Sequence, residues 1–218
     1  MKRTSATDSA PPPLPQPYLA PYIRAAARHG SHFPALLWAS PQTQSARFDA
    51  IERLGCLGGK SVLDVGCGRA DLLEFLLRRG VEPADYFGIE AVGQLADAAR
   101  ETVRASGIRG SVLMTDFIRE PLRLFCGADV IVFSGSLNTV EDGAFYDTLR
   151  RAFDAAAETL VFNFLCNSYL AGAEYLRWRR PRDVLDFSQQ LTPNVQTLDD
   201  YLHGDFTVAT KKSDSEEA

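Results

Sequence analysis

The run Val62-Leu63-Asp64-Val65-Gly66-Cys67-Gly68-Arg69-Ala70-Asp71 constrains this chain more than any other segment. A buried strand breaks into a glycine turn, and an amphipathic helix follows at once. Glycines at 66 and 68 permit positive φ and let another molecule approach the backbone closely, while the N–H groups at the helix start favour an anionic group. The same alternation continues downstream. Short β-branched runs at 61–65, 86–89, 111–115, 129–133 and 159–164 alternate with helical stretches near 72–79, 93–105 and 142–157, the pattern of βα units around a parallel sheet. Upstream, Ser40-Pro41 caps a helix through Leu54, and 18–28 is a further helix. Downstream, a helix at 182–190 precedes strands at 194–198 and 205–210, which makes seven strands in all. Asp71 with Glu74 reads as a capping box for the helix after the glycine turn, and Asn138 or Thr139 as the cap of the helix from 142.

Two further strand ends carry groups shaped for a ligand. Glu90 closes the second strand 24 residues after Gly66, where an acid can bind both hydroxyls of a ribose. Asp116-Phe117 closes the third, an acceptor for an adenine amino group beside an aromatic face.

At 218 residues the chain suits one medium domain, able to bury a core without disulfides or a structural metal. No apolar run approaches the ~20 residues that span a bilayer. The start, MKRTSATDSAPPPLP, has no apolar stretch after its basic residues, so no secretory signal is expected and a cytoplasmic location is the default. The cysteines at 56, 67, 126 and 166 form no close pair and read as reduced thiols. A net charge of -5 lacks the electrostatic footprint of a general nucleic-acid binder. The one basic cluster, Arg177, Arg179, Arg180 and Arg182, reads as a solvated face in a chain whose cations are nearly all arginine.

VLDVGCGRADL, YFGIE, SVLMTDF and DVIVFSGSLN, in that order between residues 60 and 164, resemble the successive motifs of class I S-adenosylmethionine-dependent methyltransferases. LWASPQTQSARF, residues 37–48, resembles the N-terminal segment of a bacterial subgroup of small methyltransferases. The resemblance implies an α/β, Rossmann-like seven-stranded mixed sheet, order 3-2-1-4-5-7-6 with the last strand antiparallel, flanked by helices. It implies S-adenosylmethionine at the carboxyl ends of the strands, with S-adenosylhomocysteine as product. The family's third turn glycine is Ala70 here, a change of one methyl that should be tolerated. The SGSLN loop is neither the Asn/Asp-Pro-Pro-Tyr/Phe of adenine and glutamine amino methylases nor the Pro-Cys of cytosine methylation, so those substrates lose ground.

The expected cofactor set is Arg47, Asp64, Gly66, Cys67, Gly68, Asp71, Leu72, Glu90, Ala91, Asp116, Phe117, Ser134, Gly135 and Leu137. Asp64 suits the cofactor's ammonium. Gly135 leaves room for a substrate beside the methyl group. Arg47, one helical turn from Gln44, reads either as a carboxylate clamp or as a surface ion pair. His29, His32 and Asn138 are the candidates for acid–base work, and no third ligand near the histidines suggests a metal. The expected organisation is a proline-rich disordered arm (1–17), an N-terminal helical cap (18–58), a cofactor-binding core (59–212) and a disordered tail (213–218). Within the cap, 18–38 is expected to form a lid over the acceptor. The expected function is methyl transfer to an O, N or C nucleophile of a small molecule. An NAD-linked Rossmann oxidoreductase shares the glycine turn and ribose acid, and a non-catalytic S-adenosylmethionine-binding sensor or partner subunit shares the whole cofactor half.

Overall fold

The computed structural model describes residues 16–213. The expected arm and tail fall outside those bounds except at their inner ends.

Seven strands form one sheet: β1 (Ser61–Val65), β2 (Asp85–Glu90), β3 (Gly110–Met114), β4 (Val130–Phe133), β5 (Thr159–Leu165), β6 (Val195–Leu198) and β7 (Asp205–Lys211). Their order is β3-β2-β1-β4-β5-β7-β6, as expected, and β7 runs antiparallel to both of its neighbours. Among the described residues six α-helices accompany them: α1 (Ala20–His29), α2 (Pro41–Gly55), α3 (Asp71–Arg78), α4 (Gly93–Ser106), α5 (Asp142–Ala155) and α6 (Pro181–Leu191).

The two-residue period of the strands divides the core between the faces of the sheet. Val62, Val132, Val161 and Ala209 meet Phe48 and Ile51 of α2, Leu73 of α3 and Ala99 of α4. Leu63, Ile131, Phe162 and Val208 meet Phe145 and Leu149 of α5 and Val184 of α6. Strands covered on both sides read as continuous apolar runs, which is why β1, β4 and β5 stand out in the sequence. β3, at the edge, buries only Val112.

Helix α2 starts where the sequence places it. Ser40 Oγ accepts from the Thr43 N–H at 3.1 Å, Thr43 Oγ1 accepts from the Ser40 N–H at 3.1 Å, and Pro41 occupies the first turn. Two other expected caps are absent. The residue that caps α3 is Ala70, in the left-handed region (φ 63, ψ 34) with no side-chain cap, so Asp71 lies one residue inside the helix and makes no capping box. The residue that caps α5 is Glu141, not Asn138 or Thr139, because the loop after β4 turns twice more before the helix begins.

The stretch expected as a helical cap divides. α2 packs on the sheet, whereas α1 and the 3-10 turn Phe33–Leu36 form a separate small cluster in which Ala26, Ala35 and Leu36 bury against Val92, just before α4, and Leu95 of α4. That cluster stands over the carboxyl ends of β1 and β2, where ligands of open α/β sheets bind.

Candidate functional site

Three left-handed residues in five shape the turn after β1: Gly66 (φ 74), Gly68 (φ 57) and Ala70 (φ 63). A Cβ on Gly66 would lie 2.3 Å from Ser136 Cβ, and one on Gly68 would lie 2.8 Å from Leu36 Cδ2. The turn is therefore threaded between the loop after β4 and the α1 cluster, with no space for a side chain at Gly66 and none at Gly68 unless Leu36 shifts.

Glu90, at the end of β2, holds this turn. Its Oε2 accepts from the Gly68 N–H at 2.9 Å and its Oε1 from the Val92 N–H at 2.8 Å. Burial pushes the Glu90 carboxyl up to about 7, against the pull of the Val92 and Gly68 N–H groups. Asp64 occupies the same face of β1 as Val62 but one step nearer the turn, and it accepts from the Tyr86 hydroxyl at 2.6 Å. Burial raises the Asp64 carboxyl to about 7 as well, only partly offset by that hydroxyl. Two carboxyl groups thus sit poised to ionise when a cation or donor arrives.

These groups open into one cavity. Its first wall holds Asp64, Gly66, Cys67, Gly68, Glu90 and Ala91. Its roof is Tyr18, Tyr22, Leu36, Leu37 and Trp38, from α1 and the segment around it. Ser134, Gly135, Asn138 and Phe117 border it from the ends of β4 and β3, and Leu165, Leu170, Leu176 and Leu202 form an apolar far wall. Phe117 also packs edge-on to Phe133, centroids 5.6 Å apart, so it serves the core and the cavity together. Burial pushes the Tyr18 and Tyr22 phenols above their ordinary range, which keeps both hydroxyls protonated.

Arg47 reaches this cavity from α2, but it is no surface pair. It is buried, its Nε donating to Asp205 Oδ2 at 2.5 Å with Nη2 paired to the same oxygen, and its guanidinium carbon lies 4.8 Å from the Trp38 ring centroid. The space expected beside Gly135 is likewise taken, since a Cβ there would meet Trp38 Cη2 at 3.0 Å and Arg47 Nη1 at 3.2 Å.

Other expected site residues stand off the wall. Asp71 accepts from Gln44 Nε2 at 3.0 Å and from Arg69 at 2.8 Å, one contact behind the cavity. Leu72 and Leu137 are packed into the two cores. Asp116 accepts from the Tyr18 hydroxyl at 2.8 Å and from the Ile118 N–H at 3.0 Å. Neither histidine candidate reaches the cavity: His29 ends α1 and His32 is exposed before the 3-10 turn, because the cluster that faces inward is built by Tyr22, Ala26 and Leu36. Asn138 does border it, with Oδ1 accepting from the Leu165 N–H at 3.3 Å. Among the described residues no group of three His, Cys, Asp or Glu side chains could hold a metal ion.

The arginine cluster is not one solvated face. Arg179 is buried over the Phe145 ring at 3.7 Å and donates to the Val140 carbonyl at 2.5 Å. Arg177 pairs with Glu141 at 2.7 Å, which leaves Arg180 and Arg182 exposed. The aromatic ring that draws Arg179 inward belongs to α5, more than thirty residues away in sequence.

Sequence reasoning missed Tyr201, Leu170, Leu176, Leu202 and Asp205. The leucines sit in loops, where no periodicity marks an inward side chain. Asp205 offered one signal, an acid opening a strand that carries Phe206, Val208 and Ala209.

A model of the methyltransferase domain family matches residues 62–158. The chain is 31% identical over 167 residues to a ubiquinone biosynthesis O-methyltransferase of Acinetobacter baumannii (strain AYE), covering 68% of this chain and 64% of that one. It therefore spans less than two thirds of that relative's length. A protein of the same description from Methylococcus capsulatus is 29% identical over 183 residues, with 77% and 74% covered. Among solved structures, the magnesium protoporphyrin IX methyltransferase of Synechocystis PCC 6803 with bound S-adenosylhomocysteine aligns with a TM-score of 0.60 at 14% identity, covering 79% of this chain and 83% of that one. An S-adenosylmethionine-dependent methyltransferase of Clostridium acetobutylicum aligns at 0.61 and 13% identity, covering 87% and 98%.

Proposed function

We propose that the chain, whose residues 62–158 match the methyltransferase domain family, binds S-adenosylmethionine against the glycine turn and transfers the methyl group to a small molecule held between the roof and the leucine wall. The observation that carries this reading is the convergence of Asp64, Glu90 and Arg47, from three separate elements, on one cavity beside a turn whose Gly66 has no space for a side chain. Glu90 would take the ribose hydroxyls, Asp64 the ammonium, Arg47 the carboxylate, and Phe117 a face of the adenine. Asp71, Leu72, Asp116 and Leu137 would act from behind these groups. Bound there, the cofactor would supply a methyl on a sulfonium, open to in-line attack.

The chain's own contribution is to bind, align and exclude water. With Asp64 and Glu90 engaged by the cofactor and the phenols of Tyr18 and Tyr22 protonated, no lining group is left as a dedicated base. The acceptor is then one whose nucleophile ionises by itself, and the relatives' names favour an oxygen. Leu165, Leu170, Leu176 and Leu202 suit an apolar acceptor body. This reading divides the chain into a cap before Ser40 and a cofactor core behind it. It includes a cytoplasmic setting, supported by four unpaired cysteines, and no nucleic-acid partner, supported by the pairing of Arg177 and Arg179. Among the described residues no helix is long and apolar enough to cross a membrane.

Calorimetry with S-adenosylhomocysteine and NADH tests the reading. Binding of the first and not the second is expected, followed by label transfer from methyl-labelled S-adenosylmethionine to an apolar phenol. Binding of NADH alone would overturn it.

A further inference from the structure

We propose that Asp205, the first residue of β7, is a positioning residue that aims Arg47 at the carboxylate of the cofactor's amino-acid end. The inference rests on the cofactor reading above and adds a group from outside the family-matched segment, 158 residues from Arg47 in sequence.

Every atom that Asp205 can use is committed. Its Oδ2 takes Arg47 Nε at 2.5 Å together with Nη2, and its Oδ1 takes the Tyr201 hydroxyl at 2.5 Å. Tyr201 in turn shares a hydrogen bond of 2.6 Å with Thr207 Oγ1, so the carboxylate is fixed from its own strand. Trp38 covers one face of the guanidinium. A planar fork held at two nitrogens and one face has a single direction left for its third nitrogen. That nitrogen, Nη1, lies beside Gly135 on the cavity wall, next to Ser134, whose Oγ is buried without a partner.

A structural role alone accounts poorly for this arrangement. A buried ion pair commonly contributes no more stability than a well-packed apolar pair, because desolvating both charges offsets their attraction. Burial does raise the Asp205 carboxyl, against the opposing pull of Arg47 and Tyr201. What the pair provides is a guanidinium oriented on the cavity wall, with one N–H edge open toward a ligand. Bidentate or end-on capture of a carboxylate is the chemistry such an edge serves.

The test compares two ligands on the full-length protein by calorimetry. S-adenosylhomocysteine carries the amino-acid carboxylate, and 5′-methylthioadenosine keeps the adenosine and thioether without it. Asp205→Asn should weaken S-adenosylhomocysteine at least tenfold and leave 5′-methylthioadenosine within twofold. Tyr201→Phe, which loosens Asp205 but preserves the ion pair, should show the same selectivity at about threefold, and it carries the test if Asp205→Asn fails to fold. Equal weakening of both ligands would make Asp205 merely structural, and no change in either would remove it from the site; both results overturn the proposal. Wild-type protein that binds neither ligand overturns the cofactor reading, and this inference with it, before any variant is measured.

Discussion

Gly66 and Ser136 stand so close that a Cβ on Gly66 would fall 2.3 Å from Ser136 Cβ. Ser136 cannot swing away freely, since its hydroxyl donates to the Val65 carbonyl at 2.6 Å. Gly66→Ala therefore combines a left-handed backbone penalty of roughly 1–2 kcal/mol with overpacking of roughly 1–3 kcal/mol. Urea denaturation should show a loss of about 2–5 kcal/mol. The double variant Gly66→Ala/Ser136→Gly should recover the clash but not the backbone term; full recovery would mean that φ at 66 carries no strain.

Removing Glu90 acts twice. Its carboxylate ties Gly68 and Val92 to the end of β2, and the proposed cofactor site uses the same group for the ribose. Charged hydrogen bonds are worth ~1.5–3 kcal/mol each, so Glu90→Ala should weaken S-adenosylhomocysteine at least tenfold. Unchanged affinity in calorimetry, with the fold intact, would remove Glu90 from the site.

The parts of this structure legible in sequence are those where one residue type answers to one local demand. Apolar runs gave the strands because the sheet is covered on both faces, and Gly66 and Gly68 marked the turn because positive φ and close packing leave few alternatives. Caps were less legible. Asp71-x-x-Glu74 fits a capping box, yet the turn ends in a left-handed Ala70 and starts the helix one residue early. Pairings across the sheet were hidden altogether. Nothing near Arg47 announces Asp205, and nothing near Arg179 announces the Phe145 ring.

Protonation of Asp64 and Glu90 sets opposite pH trends for folding and binding. Both carboxyls are raised to about 7 in the folded chain, from ordinary values of 3.8 and 4.5. Between those limits the unfolded chain releases protons that the folded chain keeps, so their contribution to stability is full below about pH 4 and is lost as pH rises through 7. The proposed cofactor prefers the ionised forms, and S-adenosylhomocysteine affinity should fall by up to about tenfold per pH unit, for each group, below 7. Denaturation of wild type against Asp64→Asn, alongside calorimetry over the same pH range, should give slopes of opposite sign. A flat affinity profile would show that neither carboxyl changes protonation on binding, and slopes of equal sign that the ligand prefers the protonated forms.

Ala70 offers a test of how closely balanced the turn is. Glycine there would relieve a left-handed penalty of roughly 1–2 kcal/mol. Against that stand a lost buried methyl, about 0.8 kcal/mol, and the greater freedom of glycine in the unfolded chain, about 0.4–1 kcal/mol. The terms nearly cancel, so Ala70→Gly should shift stability by less than about 1 kcal/mol and leave S-adenosylhomocysteine affinity unchanged. A larger gain in denaturation would show that the methyl is held under strain.

The α1 cluster should prove separable from the fold and necessary for transfer. Tyr22, Leu36 and Trp38 pack on Val92, Leu95 and Arg47, whereas the two main cores begin with Phe48 and draw on the segment before it through Tyr18 and through the edge-on contact of Trp38 with Phe48, centroids 6.2 Å apart. Removing residues 1–38 should therefore leave a protein that unfolds cooperatively. It should bind S-adenosylhomocysteine more weakly, because Leu36 leaves Gly68 and Trp38 uncovers Arg47. Methyl transfer should fall much further than binding. Water would enter beside the sulfonium, and the aromatic faces of Tyr18, Tyr22 and Trp38, each able to stabilise a cation by ~0.5–2 kcal/mol, would be gone. Trp38→Ala should reproduce part of both losses in the intact chain. Turnover retained by the truncated protein would reduce the cluster to a flank of the sheet, and loss of cooperative unfolding would make it part of the core.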